Sequence, residues 1–125
     1  MTSVNSYFLD TSFLIDLVRG NENAIELYEG IGNNWATGAI TIYELSKFGK
    51  KDYEKIFSAK PVFPFDLADS ETSGDIYKEL KRKGALISEM DMLIAGMAMN
   101  RNMTLVTRDY HFKKISGLKL LFYEI

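Results

Sequence analysis

Two rhythms of apolar residues alternate along the chain. Short β-rich runs occur at "NSYFL" (5–9), "NWATGAIT" (34–41), "PVFPF" (61–65), "MTLVT" (103–107) and "LKLLFY" (118–123), and each reads as a strand. Between them, apolar residues recur at helical intervals. "SFLIDLVRG" places Phe13, Leu14, Leu17 and Val18 on one face before Gly20 stops it, and "NENAIELYEGIG" (21–32) follows as a second helix. "IYELSKFGK" (42–50), "DLADSETSGDIYKELKRKG" (66–84) and "LISEMDMLIAGMAMN" (86–100) complete the helical set, with a short helical turn before the last strand. Pro61 and Pro64 remove ladder donors from the third strand and confine it to a sheet edge. Strands alternating with helices imply parallel pairing through right-handed crossovers. The expectation is a single domain over residues 1–125: a three-layer α/β/α sandwich around a parallel sheet of about five strands. Ligands of such sheets bind beyond the carboxyl ends of the strands.

One helix breaks its own pattern. Residues 86–100 are apolar almost all round, yet the first turn carries Glu89 and Asp91. Ser88 to Asp91 reads S-x-x-D, a capping box that accounts for Asp91 locally. Other acids compete with that explanation. Asp10 directly follows the first strand, Glu44 lies in the first turn after the second, and Asp109 sits two residues beyond "LVT". All belong to the same sheet edge, and Asp91 joins them if "GALIS" carries the chain back across the sheet. Five extended residues span about 17 Å, enough for that path. Each acid also has a local role open to it: Asp10 and Asp109 as helix caps, Glu44 as a solvated residue paired with Lys47. Four neighbouring carboxylates nevertheless repel unless protonated or bridged by a cation.

Composition narrows the cation. The chain has no cysteine and one histidine, His111, so a thiolate site or a two-histidine site is excluded. Oxygen ligands alone suit Mg²⁺ or Mn²⁺, ions commonly shared with phosphate, and both a nuclease and a phosphatase fit. The net charge of −2 argues against global attraction to nucleic acid or anionic lipid and leaves room for a local basic patch. The early apolar run "SYFLDTSFLIDLV" contains Asp10 and Asp16 and follows no basic leader. It reads as neither signal peptide nor membrane span, so a cytoplasmic protein without membrane association is expected.

"FLDTSFLIDLVRG", "AITIYELSKFG", "GALISEMDMLIAGMAMNRN" and "LVTRDYHFKKISGLKL" resemble, in order and spacing, the blocks of PIN-domain ribonucleases, particularly the VapC-like toxins of toxin–antitoxin pairs. The resemblance covers nearly the whole chain. It implies a PIN-like parallel sheet, an acidic Mg²⁺ or Mn²⁺ site, endoribonuclease activity on single-stranded or looped RNA, a cognate antitoxin and a homodimer. Carried over by motif, the catalytic and metal-binding acids are Asp10 in "LDTS", Glu44 in "TIYEL", Asp91 in "EMDMLIA" and Asp109 in "VTRD". Asp91 then counts as a ligand before it counts as a cap. Ser12 and Thr107 match the family's supporting hydroxyls, with capping and a strand end as their alternative roles. Glu89 stays outside the core set.

RNA requires cations beside the acids. Lys47, Lys50 and Lys51, Arg108, and Lys113 with Lys114 are candidates, among which Lys47 and Arg108 are the nearest in sequence to the acids. Trp35, Tyr43 and Tyr110 offer base-stacking surfaces, although aromatic residues at strands and helix starts usually belong to the core. Two other biologies share these motifs: an RNA-processing nuclease without an antitoxin, and a non-catalytic RNA-binding module. The second would be expected to lose acids, and none is lost. A phosphoacceptor receiver domain is disfavoured because no aspartate closes "PVFPF" unless Asp66 does.

Overall fold

The computed structural model describes residues 6–47 and 60–125. Its elements run β1 (Tyr7–Leu9), α1 (Thr11–Val18), α2 (Glu22–Ile31), β2 (Trp35–Gly38), α3 (Ala39–Ser46), β3 (Val62–Phe63), α4 (Leu67–Lys83), α5 (Glu89–Asn100), β4 (Thr104–Thr107), a 3₁₀ turn (Tyr110–Lys114) and β5 (Leu120–Phe122). All strand pairs are parallel, in the order β3-β2-β1-β4-β5. The proline-flanked β3 is an edge strand, as the missing donors require. Among the described residues no helix is long and apolar enough to cross a membrane.

Strand alternation divides the core between the two faces of the sheet. Phe8, Ala36 and Leu105 pack with Ile76 and Leu80 of α4 and with Ile94, Met97 and Ala98 of α5. Leu9, Trp35 and Val106 pack on the other side with Phe13 and Leu14 of α1, Ala24 of α2 and Leu45 of α3. This is the expected three-layer sandwich. The all-round apolarity of α5 has a direct cause: it is enclosed between the sheet and α4. A Cβ added at Gly96 would lie 2.0 Å from Ser73 Oγ, so α4 and α5 approach as closely as they do only because residue 96 lacks one.

The strands expected over 61–65 and 118–123 are shorter, at Val62–Phe63 and Leu120–Phe122, and two further boundary shifts have a local cause. The strand expected over 34–41 stops at Gly38, where the register with β3 ends and where a Cβ would lie 2.5 Å from Met97 Cε. The chain must turn there, so helix α3 starts three residues early, at Ala39. The helix expected over 86–100 begins at Glu89, because Ser88 caps it by accepting the Asp91 amide at 3.2 Å. The C-terminal part of the helix expected over 42–50 lies outside the described residues, with Lys50 and Lys51.

A polar clamp joins the start of α4 to the end of α5. Asp69 is fully buried; its carboxylate accepts Arg101 Nη1 at 2.6 Å and Nη2 at 3.1 Å, and Asn100 Nδ2 at 2.9 Å. It also closes a capping box with Asp66. Burial pushes the Asp69 carboxyl up, but the bonds from Arg101, Asp66 and Asn100 outweigh burial and hold it below the usual range. Arg101→Met is therefore expected to leave an unpaired buried charge and to destabilise the fold by about 3–5 kcal/mol. The urea midpoint measures this; a shift worth less than about 1 kcal/mol would show that Asn100 and the Asp66 amide suffice.

Candidate active site

The sheet order makes β1 the point at which the strand order reverses. The crossover from β1 leads to β2 on one side, whereas β4 returns to the other, so a crevice opens beyond the carboxyl ends of β1 and β4. Asp10 follows β1 and Asp109 follows β4. Backbone pairing fixes their spacing, since the Asp10 amide donates to the Val106 carbonyl at 3.1 Å.

Asp10 is the most constrained of the acids. It is 4% exposed, and its Oδ2 accepts Thr107 Oγ1 at 2.7 Å and Ser12 Oγ at 3.0 Å. Both hydroxyls expected to support the site thus orient this carboxylate, and they lie 3.4 Å from each other. Burial pushes the Asp10 carboxyl up to about 6, with the Asp91 charge adding to burial and the two hydroxyls and the Thr11 amide opposing it. Asp10 is the N-cap residue of α1 but makes no side-chain capping bond, which removes the capping explanation for its presence.

The other acids surround it. Asp91 is half-buried, and its carboxyl is raised by burial, then by the charges of Asp109 and Glu44, against a lowering contact with Ser88. Those couplings bring Asp10, Glu44 and Asp109 each within electrostatic reach of Asp91. Glu44 is half-buried and accepts Thr11 Oγ1 at 2.6 Å, not a lysine; Lys47 instead lies over the Tyr43 ring. Asp109 caps the 3₁₀ turn by accepting the His111 amide at 2.9 Å, and its own amide donates to Thr107 Oγ1 at 3.0 Å. Its capping role and its place at the acidic edge coexist. Glu89 is exposed. Among the described residues no three carboxylates are drawn tightly enough together to hold one ion as they stand. The donor chemistry nevertheless fits a hard divalent cation. Every candidate ligand is an oxygen, and a cation would offset the burial and mutual repulsion that raise Asp10 and Asp91.

Several neighbours were not legible in the sequence. Thr11 belongs to the site through Glu44. His111, set aside as the lone histidine, lies with Nδ1 3.4 Å from Asp109 Oδ1. A cavity of about 430 Å³ beside the acids is lined by Ser12, Arg108, Asp109, Tyr110 and His111. Arg108 is not a free surface cation: its Nε lies 2.8 Å from Oδ2 of the buried Asp16. The same Oδ2 accepts Tyr123 Oη at 2.6 Å, and burial and then Asp16 hold the Tyr123 hydroxyl far above its usual pKa, so it acts as a donor throughout the working range. Of the aromatic candidates only Trp35 joins the core, whereas Tyr43 and Tyr110 are 50% and 52% exposed. Lys113 lies over the Tyr110 ring at 4.8 Å.

Fold and site together define a parallel α/β domain whose switch-point crevice carries acids, hydroxyls and a cation, as suits phosphoester chemistry. The chain belongs to the PIN domain family, whose profile matches residues 7–118. It is 36% identical over 90 residues to Ribonuclease VapC3 of Methanocaldococcus jannaschii, covering 71% of this chain and 94% of that protein. It is 30% identical to Ribonuclease VapC2 of Rickettsia felis over 91% of this chain and 95% of that one. Among solved structures, DNA-bound VapBC from Salmonella typhimurium superposes with a TM-score of 0.86 at 26% identity, covering 94% of this chain and 98% of that chain.

Proposed function

We propose that this PIN domain is the endoribonuclease toxin of a toxin–antitoxin pair, and that it hydrolyses RNA phosphodiester bonds at its acidic crevice. The observation that carries the reading is the buried Asp10 carboxylate. It is held by Thr107 and Ser12 at the switch point and faces a half-buried Asp91 that in turn feels Asp109 and Glu44. Burying a carboxylate near others is costly unless something offsets the charge. Asp10, Glu44, Asp91 and Asp109 would hold Mg²⁺ or Mn²⁺. When bound, that ion acidifies water and neutralises charge developing on phosphoryl oxygens.

The chain's own groups do the positioning. Thr107 and Ser12 fix the Asp10 carboxylate in one rotamer, Thr11 fixes Glu44, and the Thr107 bond to the Asp109 amide sets the turn that presents Asp109. Arg108 and Lys47 supply positive charge beside the crevice for RNA. The VapBC complexes among the solved relatives support a cognate antitoxin for this chain, and the family resemblance supports a homodimer.

The ends left on cleaved RNA test the reading. Attack by the substrate's 2′-OH needs a side chain to take its proton and leaves a cyclic or 3′-phosphate. His111 is the only histidine, and no second imidazole can act as the matching acid. Attack by water needs neither group. Mass spectrometry of the fragments is expected to show 5′-phosphate and 3′-hydroxyl ends, with His111→Ala still active and EDTA stopping the reaction. A 2′,3′-cyclic phosphate, or cleavage that survives EDTA, would overturn the assignment of the four acids.

A further inference from the structure

Arg108 sits between two residues of the crevice, Thr107 and Asp109, yet its guanidinium is tied to neither. Its Nε pairs at 2.8 Å with Asp16, which lies on α1, the helix that begins immediately after Asp10. Asp16 is 6% exposed, and the oxygen that meets Arg108 also accepts the Tyr123 hydroxyl from just beyond β5. A buried carboxylate oxygen that takes a hydrogen bond from Tyr123 and an ion-pair contact from Arg108 has little freedom to move. The Arg108 side chain, by contrast, is 40% exposed and lines the cavity shared with Ser12, Asp109, Tyr110 and His111. Among the described residues, no protein acceptor takes its two Nη groups. The arrangement therefore anchors one side of a planar fork and leaves the other side available at the crevice.

We propose that Asp16 and Tyr123 are positioning residues that hold Arg108 as a phosphate clamp for single-stranded RNA, seating a backbone phosphate in the cavity beside Asp109. This rests on the endoribonuclease reading and adds to it how the substrate is gripped. A fork anchored through Nε offers both Nη groups to two phosphate oxygens, with less ordering cost than a free arginine. Tyr110 lines the cavity, its ring lies 4.8 Å from that of Phe122, and Lys113 sits over both rings, so a second positive charge lies behind the Tyr110 wall. The opposing explanation is that Arg108 merely neutralises Asp16. That account needs only a positive charge at position 108, so the two differ in what lysine can replace.

The test measures binding of a fluorescent oligouridylate in Mg²⁺ to the full chain carrying Asp10→Asn, across a salt series. Adding Arg108→Gln is expected to weaken binding about tenfold and to make the log–log salt slope shallower by about 0.7, the contribution of one phosphate contact on a single strand. Arg108→Lys is expected to keep the melting temperature, because it still pairs with Asp16, yet to bind severalfold more weakly than arginine. Asp16→Asn is expected to lower affinity severalfold with the slope unchanged. Adding it to Arg108→Gln is expected to cost nothing more, since both act through one contact. If Arg108→Gln leaves affinity and slope unchanged, or Arg108→Lys binds as tightly as arginine, the clamp is refuted and the ion pair is structural. If the Asp10→Asn chain still cuts the probe, the placement of the catalytic acids fails instead, and the effect of Arg108 on binding stands separately.

Discussion

Asp10→Asn is expected to reduce RNA cleavage by on the order of a thousandfold or more while leaving a folded chain. The amide oxygen can still accept both the Thr107 and Ser12 hydroxyls, because in the native chain both donate to the same carboxylate oxygen, Oδ2. What is lost is the charge. Stabilising phosphoryl charge through a bound cation contributes several kcal/mol, and each 1.36 kcal/mol is a factor of ten in rate. Cleavage assays should therefore show loss through kcat, and circular dichroism should show an unaltered fold. The divalent-metal response of the melting temperature should weaken in parallel. An Asp10→Asn chain that cleaves at the wild-type rate would remove Asp10 from the chemistry, and a chain that unfolds would make it a structural residue.

Layer order and the acidic edge were legible because they depend on short-range signals. Period-two runs ended by Asp10 or by "TRD" mark strand ends, and an α/β sheet sends every strand end to the same side. The roles of individual polar groups were harder to read, because they depend on partners far along the chain. Asp16 sits within an apolar helix and looks like a solvated interruption, but its hydrogen-bond partner Tyr123 is 107 residues away. Asp69 lies in the polar opening of the amphipathic helix read over 66–84, and yet it is fully buried, with Arg101 reaching it from the end of α5. Tyr43 and Tyr110 show the reverse error: propensity assigns them to the core, and the layers leave them half exposed. In "LDTS" the residue types were informative, but the division of labour was not. Thr11 serves Glu44 and Ser12 serves Asp10, because a helix start points consecutive side chains in different directions.

Without divalent ions, the fold is expected to lose stability as pH rises from about 4 to 6.5, contrary to the usual behaviour of carboxylates. Below its unfolded pKa of 3.8, Asp10 is protonated in both states and imposes no penalty. Between 3.8 and about 6 the unfolded chain releases the proton while the folded chain retains it, and above about 6 the folded chain carries a buried charge. The full penalty corresponds to about 3 kcal/mol at most, a substantial part of the roughly 5–15 kcal/mol that stabilises a domain. Asp91 is raised and acts in the same direction. Asp69 is lowered and acts in the opposite one, but in a more acidic window: its contribution is present above the unfolded pKa and is lost as pH falls through the folded value. The metal-free profile should thus peak near the upper end of the carboxylate range and decline toward neutrality. A cation that binds only the native acids stabilises by RT ln(1 + [L]/Kd) and should flatten that decline. Urea midpoints at pH 5 and pH 7.5, with EDTA or with Mn²⁺, give the comparison. In Asp10→Asn the decline between those pH values should shrink and the Mn²⁺ response should fall with it. A metal-free wild type that gains stability from pH 5 to 7.5, or a Mn²⁺ response equal in the variant, would show that burial of Asp10 is compensated within the protein and that the cation binds elsewhere.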